Sequence, residues 1–163
     1  MTTPKQLRAR YPYMFEGPNI GVSIPLGWMP IFESLCEDID VLLGADKQGF
    51  HFTQCKEKFG SARWYWTVRD VEPSIRINVI SEMGTVTELV RTEKLRESAR
   101  RSLSARIDEL VDAATSQTEQ ACIVCGSAGE GDRHGGWVLM LCHAHAVQRR
   151  SGRLPSLWFE GED

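Results

Sequence analysis

The sequence predicts an α+β protein: a three-stranded antiparallel sheet with a packed helix, a long amphipathic helix and a small C-terminal module. Three observations support this prediction. Apolar residues recur at helical spacing over 30–43, apolar and polar residues alternate from residue 50 onward, and two short Cys/His pairs lie near the C-terminus. A chain of 163 residues suits one main domain with a small appended module.

The N-terminal half is predicted to contain an arm and one helix. Residues 1–27 are interrupted by prolines and glycines, so we expect an irregular arm there. A helix is predicted over 30–43, because Pro30 suits the first helical position and Gly44 suits the end. Its apolar stripe consists of Phe32, Leu35, Cys36, Ile39, Leu42 and Leu43.

The middle of the chain predicts three antiparallel strands over 50–56, 62–69 and 75–80, with the helix packed on one face. Residues 58–61 form the first connection, in which Gly60 supplies a positive φ. A long helix follows over 86–116, and together these elements form an α+β body over 28–118. The sequence ends with a cysteine-containing module over 119–158 and an acidic tail over 159–163.

The two pairs in the C-terminal module have the spacing of a structural zinc site. Cys122 and Cys125 are followed by Gly126, and after sixteen intervening residues come Cys142 and His145. Three thiolates and one imidazole fill a tetrahedron, so the site predicts scaffolding rather than catalysis. His143 or His134 could replace His145 as the fourth ligand. The glycine-rich loop and the apolar strand before Cys142 predict a treble-clef-like zinc finger.

Composition narrows the functional classes. The net charge of −3 gives no overall attraction to nucleic acid or to an anionic membrane. No apolar run approaches the roughly 20 residues that span a bilayer, and no signal peptide precedes the body, so we expect a cytoplasmic protein. Cys36 and Cys55 are expected to be reduced, buried residues, and a disulfide between them is the alternative. The sequence contains no nucleophile elbow, phosphate loop or dinucleotide motif, so we expect no enzyme and no small-molecule substrate.

Basic residues suggest where a partner could bind. Arginines on the long helix and after the last zinc ligand could contact a partner protein or the phosphates of a nucleic acid. A nucleic-acid-binding zinc-finger protein is therefore the alternative function. The candidate partner-binding residues are Arg96, Arg100, Arg101, Arg149 and Arg150.

The paired cysteines also resemble the metal-bound shell of HNH-type nucleases. Sixteen residues between the pairs leave little room for the catalytic insert of that family, and no His-Asn-His set follows. Asp132 and His134 would be the candidate metal-dependent catalysts. An HNH-like nuclease is the second alternative.

Three segments together resemble small proteins encoded by tailed phages and prophages. They are G-W-M-P-I-F-E-S-L-C at 27–36, Q-C-K-E-K-F-G-S-A-R-W-Y at 54–65, and C-I-V-C-G with G-W-V-L-M-L-C-H-A-H-A at 136–146. The resemblance covers about two thirds of the chain. It implies a non-enzymatic phage accessory protein in the bacterial cytoplasm that binds a host protein or complex, such as a defence complex. The insert at 84–116 departs from shorter members and is where a specific partner would be engaged.

Overall fold

The computed structural model describes residues 2–18, 21–68 and 85–159, without the side chains of residues 48 and 85–96. The predicted third strand over 75–80 and the tail over 160–163 lie outside the described residues. The helices and strands are α1 (Pro4–Arg10), β1 (Gly21–Val22), α2 (Met29–Leu43), β2 (Phe50–Lys58), β3 (Ser61–Val68), α3 (Thr85–Thr118), β4 (Glu130–His134), β5 (Trp137–Leu141) and α4 (His143–Arg150).

Helix α2 packs on the sheet and forms the centre of the core, as its apolar stripe predicts. Phe32 and Ile39 are completely buried, and the Phe32 ring lies 5.1 Å from the ring centroids of both Phe52 and Trp64. The helix ends at Gly44, which has a positive φ of 65°. The helix predicted over 30–43 is therefore confirmed.

The sheet is mixed, so the prediction of a purely antiparallel sheet is wrong. Strand β2 pairs antiparallel with β3, but its other edge pairs in parallel with β1, where Gly21 lies opposite Gln54. The reason is the path of the chain: α2 carries it from β1 back to the starting end of the sheet. Strands joined by such a helical crossover run parallel.

The hairpin between β2 and β3 is confirmed, with Gly60 in its turn, but the turn has only two residues because Lys58 and Ser61 of the predicted connection over 58–61 belong to the strands. Lys58 pairs with Ser61, and both intervening residues have positive φ, 55° at Phe59 and 82° at Gly60. This is the conformation of a type I′ turn, which matches the twist of the strands that it joins. The turn leaves the Phe59 ring 66% exposed.

The N-terminal arm is more regular than predicted. Helix α1 begins after Thr3, whose hydroxyl accepts from the Gln6 N–H at 3.2 Å, and the Gln6 side chain accepts from the Thr3 N–H at 2.9 Å. This reciprocal pair is a capping box, and Pro4 occupies the first turn without loss of a hydrogen bond. The irregular arm expected over 1–27 is therefore wrong for these residues.

Helix α3 is longer than predicted and packs against the body through its C-terminal half. Ile107, Val111 and Ala114 are buried, whereas every side chain over 97–102 is exposed. The described part of this helix therefore begins in solvent and ends in the core. In the part of the chain that the structure describes, no helix has the length and apolar character needed to cross a membrane.

The C-terminal module is joined to the body by backbone contact at Gly27. A Cβ at this position would stand 2.1 Å from the carbonyl oxygen of Cys122 and 2.7 Å from the amide nitrogen of Gly126. The Gly27 N–H donates to the carbonyl of Ile123 at 2.8 Å, and Ile123 is completely buried. The turn that holds the first cysteine pair is thus part of the main core.

Side chains extend this junction on both sides. The buried Trp28 donates its indole N–H to the carbonyl of Ala121 at 3.0 Å. The hydroxyl of Thr118, also buried, accepts from the Ala62 N–H at 3.2 Å and donates to the carbonyl of Thr115 at 2.6 Å. Sheet, helix α3 and C-terminal module therefore meet at one continuous junction.

Substitution of Gly27 tests this junction. We expect Gly27→Ala to lower the free energy of unfolding by about 3 kcal/mol. The new methyl group would overlap backbone atoms, which cannot rotate away as a side chain can. The matched control is Gly131→Ala, whose Cβ would meet Val138 at an ordinary 3.8 Å and should cost about 1 kcal/mol or less. Urea unfolding, monitored by tryptophan fluorescence, measures the free energy of unfolding of both variants. Equal losses of stability would show that the close contact at Gly27 does not hold the C-terminal module to the body.

Candidate metal centre

The first cysteine pair lies in a tight turn between helix α3 and strand β4. The Gly126 N–H donates to the carbonyl of Cys122 at 2.8 Å, and the Cys122 N–H donates to the carbonyl of Ser127 at 2.7 Å. Gly126 has a positive φ of 76°, which lets the backbone bend under the two sulfur atoms. The turn therefore directs the Cys122 and Cys125 sulfurs to the same side.

The second pair is delivered by the hairpin of β4 and β5 and by the start of α4. Strand β5 is apolar and leads into Cys142, which is the N-cap residue of α4, and His145 follows in the first turn of that helix. The Ile123 N–H donates to the carbonyl of Met140 at 2.8 Å. This bond ties the hairpin to the turn of the first pair.

The four side chains converge. Their ligand atoms all lie within 4.8 Å of one another: the sulfurs of Cys122, Cys125 and Cys142 and the Nδ1 atom of His145. The imidazole Nδ1 lies 3.3 Å from the Cys122 sulfur and 3.2 Å from the Cys142 sulfur. The sulfurs of Cys125 and Cys142 are 3.9 Å apart. The structure therefore places the predicted ligands around one point where a metal ion could be held.

Burial and hydrogen bonding act in opposite directions on the pKa values of the first two cysteines. Burial raises the pKa of the Cys122 thiol, although the backbone groups of Cys142, Cys125 and Val124 act in the opposite direction. Burial would also raise the pKa of Cys125, but hydrogen bonds from the Ser127 hydroxyl and amide bring that pKa below its ordinary value.

The alternative histidines lie away from the cluster. His143 is the first residue of α4 and is exposed, and His134 is exposed at the end of β4. Among the described residues, the group whose ligand atoms converge contains His145 and neither of these two. The CxxH spacing therefore identified the imidazole that faces the sulfurs.

Arg149 holds the module together from inside, a role that its sequence position did not reveal. Its side chain is 10% exposed and donates to both the carbonyl and the carboxylate of Asp132, at 2.6 and 3.1 Å. It also donates to the carbonyls of His134 and Trp137, at 3.0 and 3.1 Å. These bonds tie α4 to both strands of the hairpin.

The predicted partner-binding arginines therefore have different surroundings. The prediction for Arg149 is a side chain that faces a partner, but its guanidinium donors point into its own module. Arg150 is 57% exposed and pairs with the other oxygen of Asp132. Arg100 and Arg101 are exposed on α3, where Arg101 pairs with Glu97. The side chain of Arg96 lies outside the described residues.

Asp132, a candidate nuclease residue, is buried between two guanidinium groups. Its side chain is 5% exposed, and Arg149 and Arg150 each bind one of its carboxylate oxygens. Two cations that already neutralise this carboxylate compete with any divalent metal ion. His134 is exposed at the hairpin end, and its carbonyl is bound by Arg149. This arrangement does not favour Asp132 as a metal-dependent catalyst.

Cys36 and Cys55 are buried free thiols, as predicted. Burial raises the pKa of both thiols above the ordinary range. They therefore serve as small core side chains.

Comparisons with protein-family models, with curated proteins and with solved structures gave no match for this chain.

The internal role of Arg149 predicts a contrast between neighbouring arginines. We expect Arg149→Met to lower the free energy of unfolding by about 3 kcal/mol or more, because a buried carboxylate loses its main partner. Arg150→Met removes a largely exposed partner and should cost about 1 kcal/mol or less. Thermal unfolding of the two variants measures the difference. Similar losses, or a larger one for Arg150→Met, would show that Arg149 is not the internal clamp.

Proposed function

We propose that this protein is a non-enzymatic binding protein in which Cys122, Cys125, Cys142 and His145 hold one structural Zn²⁺ ion. The single observation that carries the proposal is the convergence of these four side chains. Zinc in structural sites takes four sulfur and nitrogen ligands in a tetrahedron. The turn, the hairpin and the ligand-bearing helix together give the module a treble-clef-like arrangement.

The spacing of the ligand atoms supports zinc. Metal–sulfur bonds of about 2.3 Å give a tetrahedron with edges of about 3.7 Å. The Cys125 and Cys142 sulfurs are 3.9 Å apart, close to that value, and the His145 Nδ1 atom lies nearer its two sulfurs, at 3.3 and 3.2 Å, in line with the shorter metal–nitrogen bond. Three thiolates and a neutral imidazole leave a bound dication with one net negative charge, which the nearby amides and the start of α4 can stabilise.

A four-ligand site supports scaffolding over catalysis. Catalytic zinc sites keep one position for water or substrate, whereas structural sites fill every position with protein ligands. Cys122 is completely buried at the junction with the body, and Ile123 next to it belongs to the core. The ion would therefore connect the C-terminal module to the core, and the exposed surfaces of the protein would carry its binding function.

Metal analysis tests the composition of the site. We expect one zinc ion per chain in the purified protein, and loss of that ion in Cys125→Ala because three ligands bind far more weakly than four. His145→Cys should retain zinc with a four-sulfur site. His143→Ala and His134→Ala are the matched controls and should keep one ion per chain. Retention of the zinc ion in Cys125→Ala would contradict the ligand set. Loss of the ion in His143→Ala or His134→Ala would also contradict it.

Cobalt substitution tests whether the site is closed. Co²⁺ bound by three thiolates and one imidazole should show the intense visible absorption of a tetrahedral complex. We expect this spectrum to be unchanged by added azide, because no coordination position is open. A spectrum that shifts with azide would show an exchangeable position and would contradict the purely structural role.

A further inference from the structure

The outer face of the hairpin β2–β3 combines cations with exposed aromatic rings. We define the basic face of the sheet by Lys56, Lys58, Phe59, Arg63 and Tyr65. These residues lie on alternate positions of the two strands or at their turn, on the side away from α2. From this surface we infer that the protein binds single-stranded nucleic acid, which is the partner of the proposed non-enzymatic binding role.

The charges of this face are not balanced by the sheet itself. Lys56 lies directly opposite Arg63 in the antiparallel register, and two like charges in that position disfavour the pairing. Within the described ranges, no carboxylate forms an ion pair with Lys56, Lys58 or Arg63. An anionic ligand across the face would remove this repulsion.

Two carboxylates lie at the same end of the sheet, but both are engaged by other groups. Glu57 accepts from the Gly60 N–H at 2.7 Å, and Glu119 accepts from the Ser61 hydroxyl at 3.0 Å. Arg63 donates to that same hydroxyl at 3.0 Å and to the carbonyl of Ala62 at 3.1 Å. These bonds hold the Arg63 side chain in place, and within the described ranges its Nε and Nη2 atoms form no hydrogen bond, which leaves them for a phosphate.

The aromatic rings of this face are exposed to solvent and lie next to the cations. The rings of Phe59 and Tyr65 are 66% and 51% exposed. The amine of Lys58 lies 5.3 Å from the centroid of the Phe59 ring, and the amine of Lys56 lies 6.0 Å from that of Tyr65. Each ring therefore has an ammonium group within reach of the same ligand. Stacked bases and adjacent phosphates are a ligand that uses both groups together.

The backbone at Phe59 supports a role in binding over a role in folding. A bulky side chain with a positive φ is a conformational outlier, and the first central position of this turn favours Asn, Asp or Gly. The ring also remains exposed, so it gains little from packing in return. Strained residues of this kind cluster at functional sites.

The same features select a single strand over a duplex. The bases of a duplex are stacked on one another, so their faces cannot reach Phe59 or Tyr65. Unpaired bases can stack on exposed rings while the phosphates contact neighbouring lysines. Residues two apart on a strand stand about 6.6 Å apart, so Lys56 and Lys58 can both contact one extended backbone. Trp64, the neighbour of Tyr65 on β3, is buried in the core and takes no part.

Fluorescence anisotropy with labelled oligo-dT and oligo-U of about 16 nucleotides tests this inference. We expect both strands to bind the zinc-loaded protein, and a duplex of the same length to bind at least tenfold more weakly. Phe59→Asn should weaken binding of the single strands about tenfold while the fold is kept or stabilised, because Asn suits the turn. Tyr65→Thr should have a similar effect on binding.

A double variant tests the binding of phosphates. Lys56→Gln with Lys58→Gln should weaken binding of all single strands and reduce the slope of log Kd against log salt by about one for each phosphate that is no longer bound. The controls are Arg106→Gln and Val41→Gln, which change an exposed cation and an exposed apolar residue on the helices. Both should bind as the unmodified protein does. Zinc content measured for every variant separates a failure of this inference from a failure of the metal site.

Three results would overturn the inference. The first is no binding of either strand at about 50 mM salt. The second is equal affinity in the unmodified protein and in Phe59→Asn and Tyr65→Thr. The third is equal binding of duplex DNA or poly-glutamate, which would show a general polyanion surface without base stacking.

Discussion

The backbone contact between Gly27 and the turn over 122–126 sets the position of the metal centre relative to the rest of the protein. Gly27 lies so close to the carbonyl of Cys122 that no side chain fits between them, and its amide is bonded to Ile123. The first two ligands are consequently held by the same core that packs α2 on the sheet. A displacement of this turn would also displace the core, so binding of a metal ion by these cysteines would be coupled to the stability of the body.

A second constraint acts on the other half of the site. Cys142 and His145 depend on the packing of α4 against the hairpin, and Arg149 fixes that packing through Asp132 and two carbonyl groups. Two ligands are thus placed by core packing and two by a buried ion pair. The ion would complete a structure whose halves are already held close together, which favours binding because less chain must be ordered.

The sequence predicted the elements that depend on local pattern. The stripe of α2, the positive φ at Gly60 in the hairpin connection and the spacing of the four candidate ligands each have their physical cause within a few residues. The parallel pairing of β1 does not, because a strand of two residues carries no periodicity. The roles of Gly27 and Arg149 depend on contacts between distant segments. The start of α1 also has a local cause, because Thr3 and Gln6 have the spacing of a capping box, but the irregular arm predicted over 1–27 rests on the prolines and glycines alone.

The two hairpins β2–β3 and β4–β5 both turn through two residues with positive φ, but they use different residues at the first position. Strands β4 and β5 turn through Gly135 and Gly136, whose positive φ values of 58° and 81° impose no strain. The hairpin β2–β3 places Phe59 in the equivalent first position, where the conformation is unfavourable and the ring is exposed. The chain therefore has an unfavourable Phe at the first position of one turn and a favourable Gly at the first position of the other. Folding alone does not account for that difference, whereas the proposed ligand, by stacking on the ring, would.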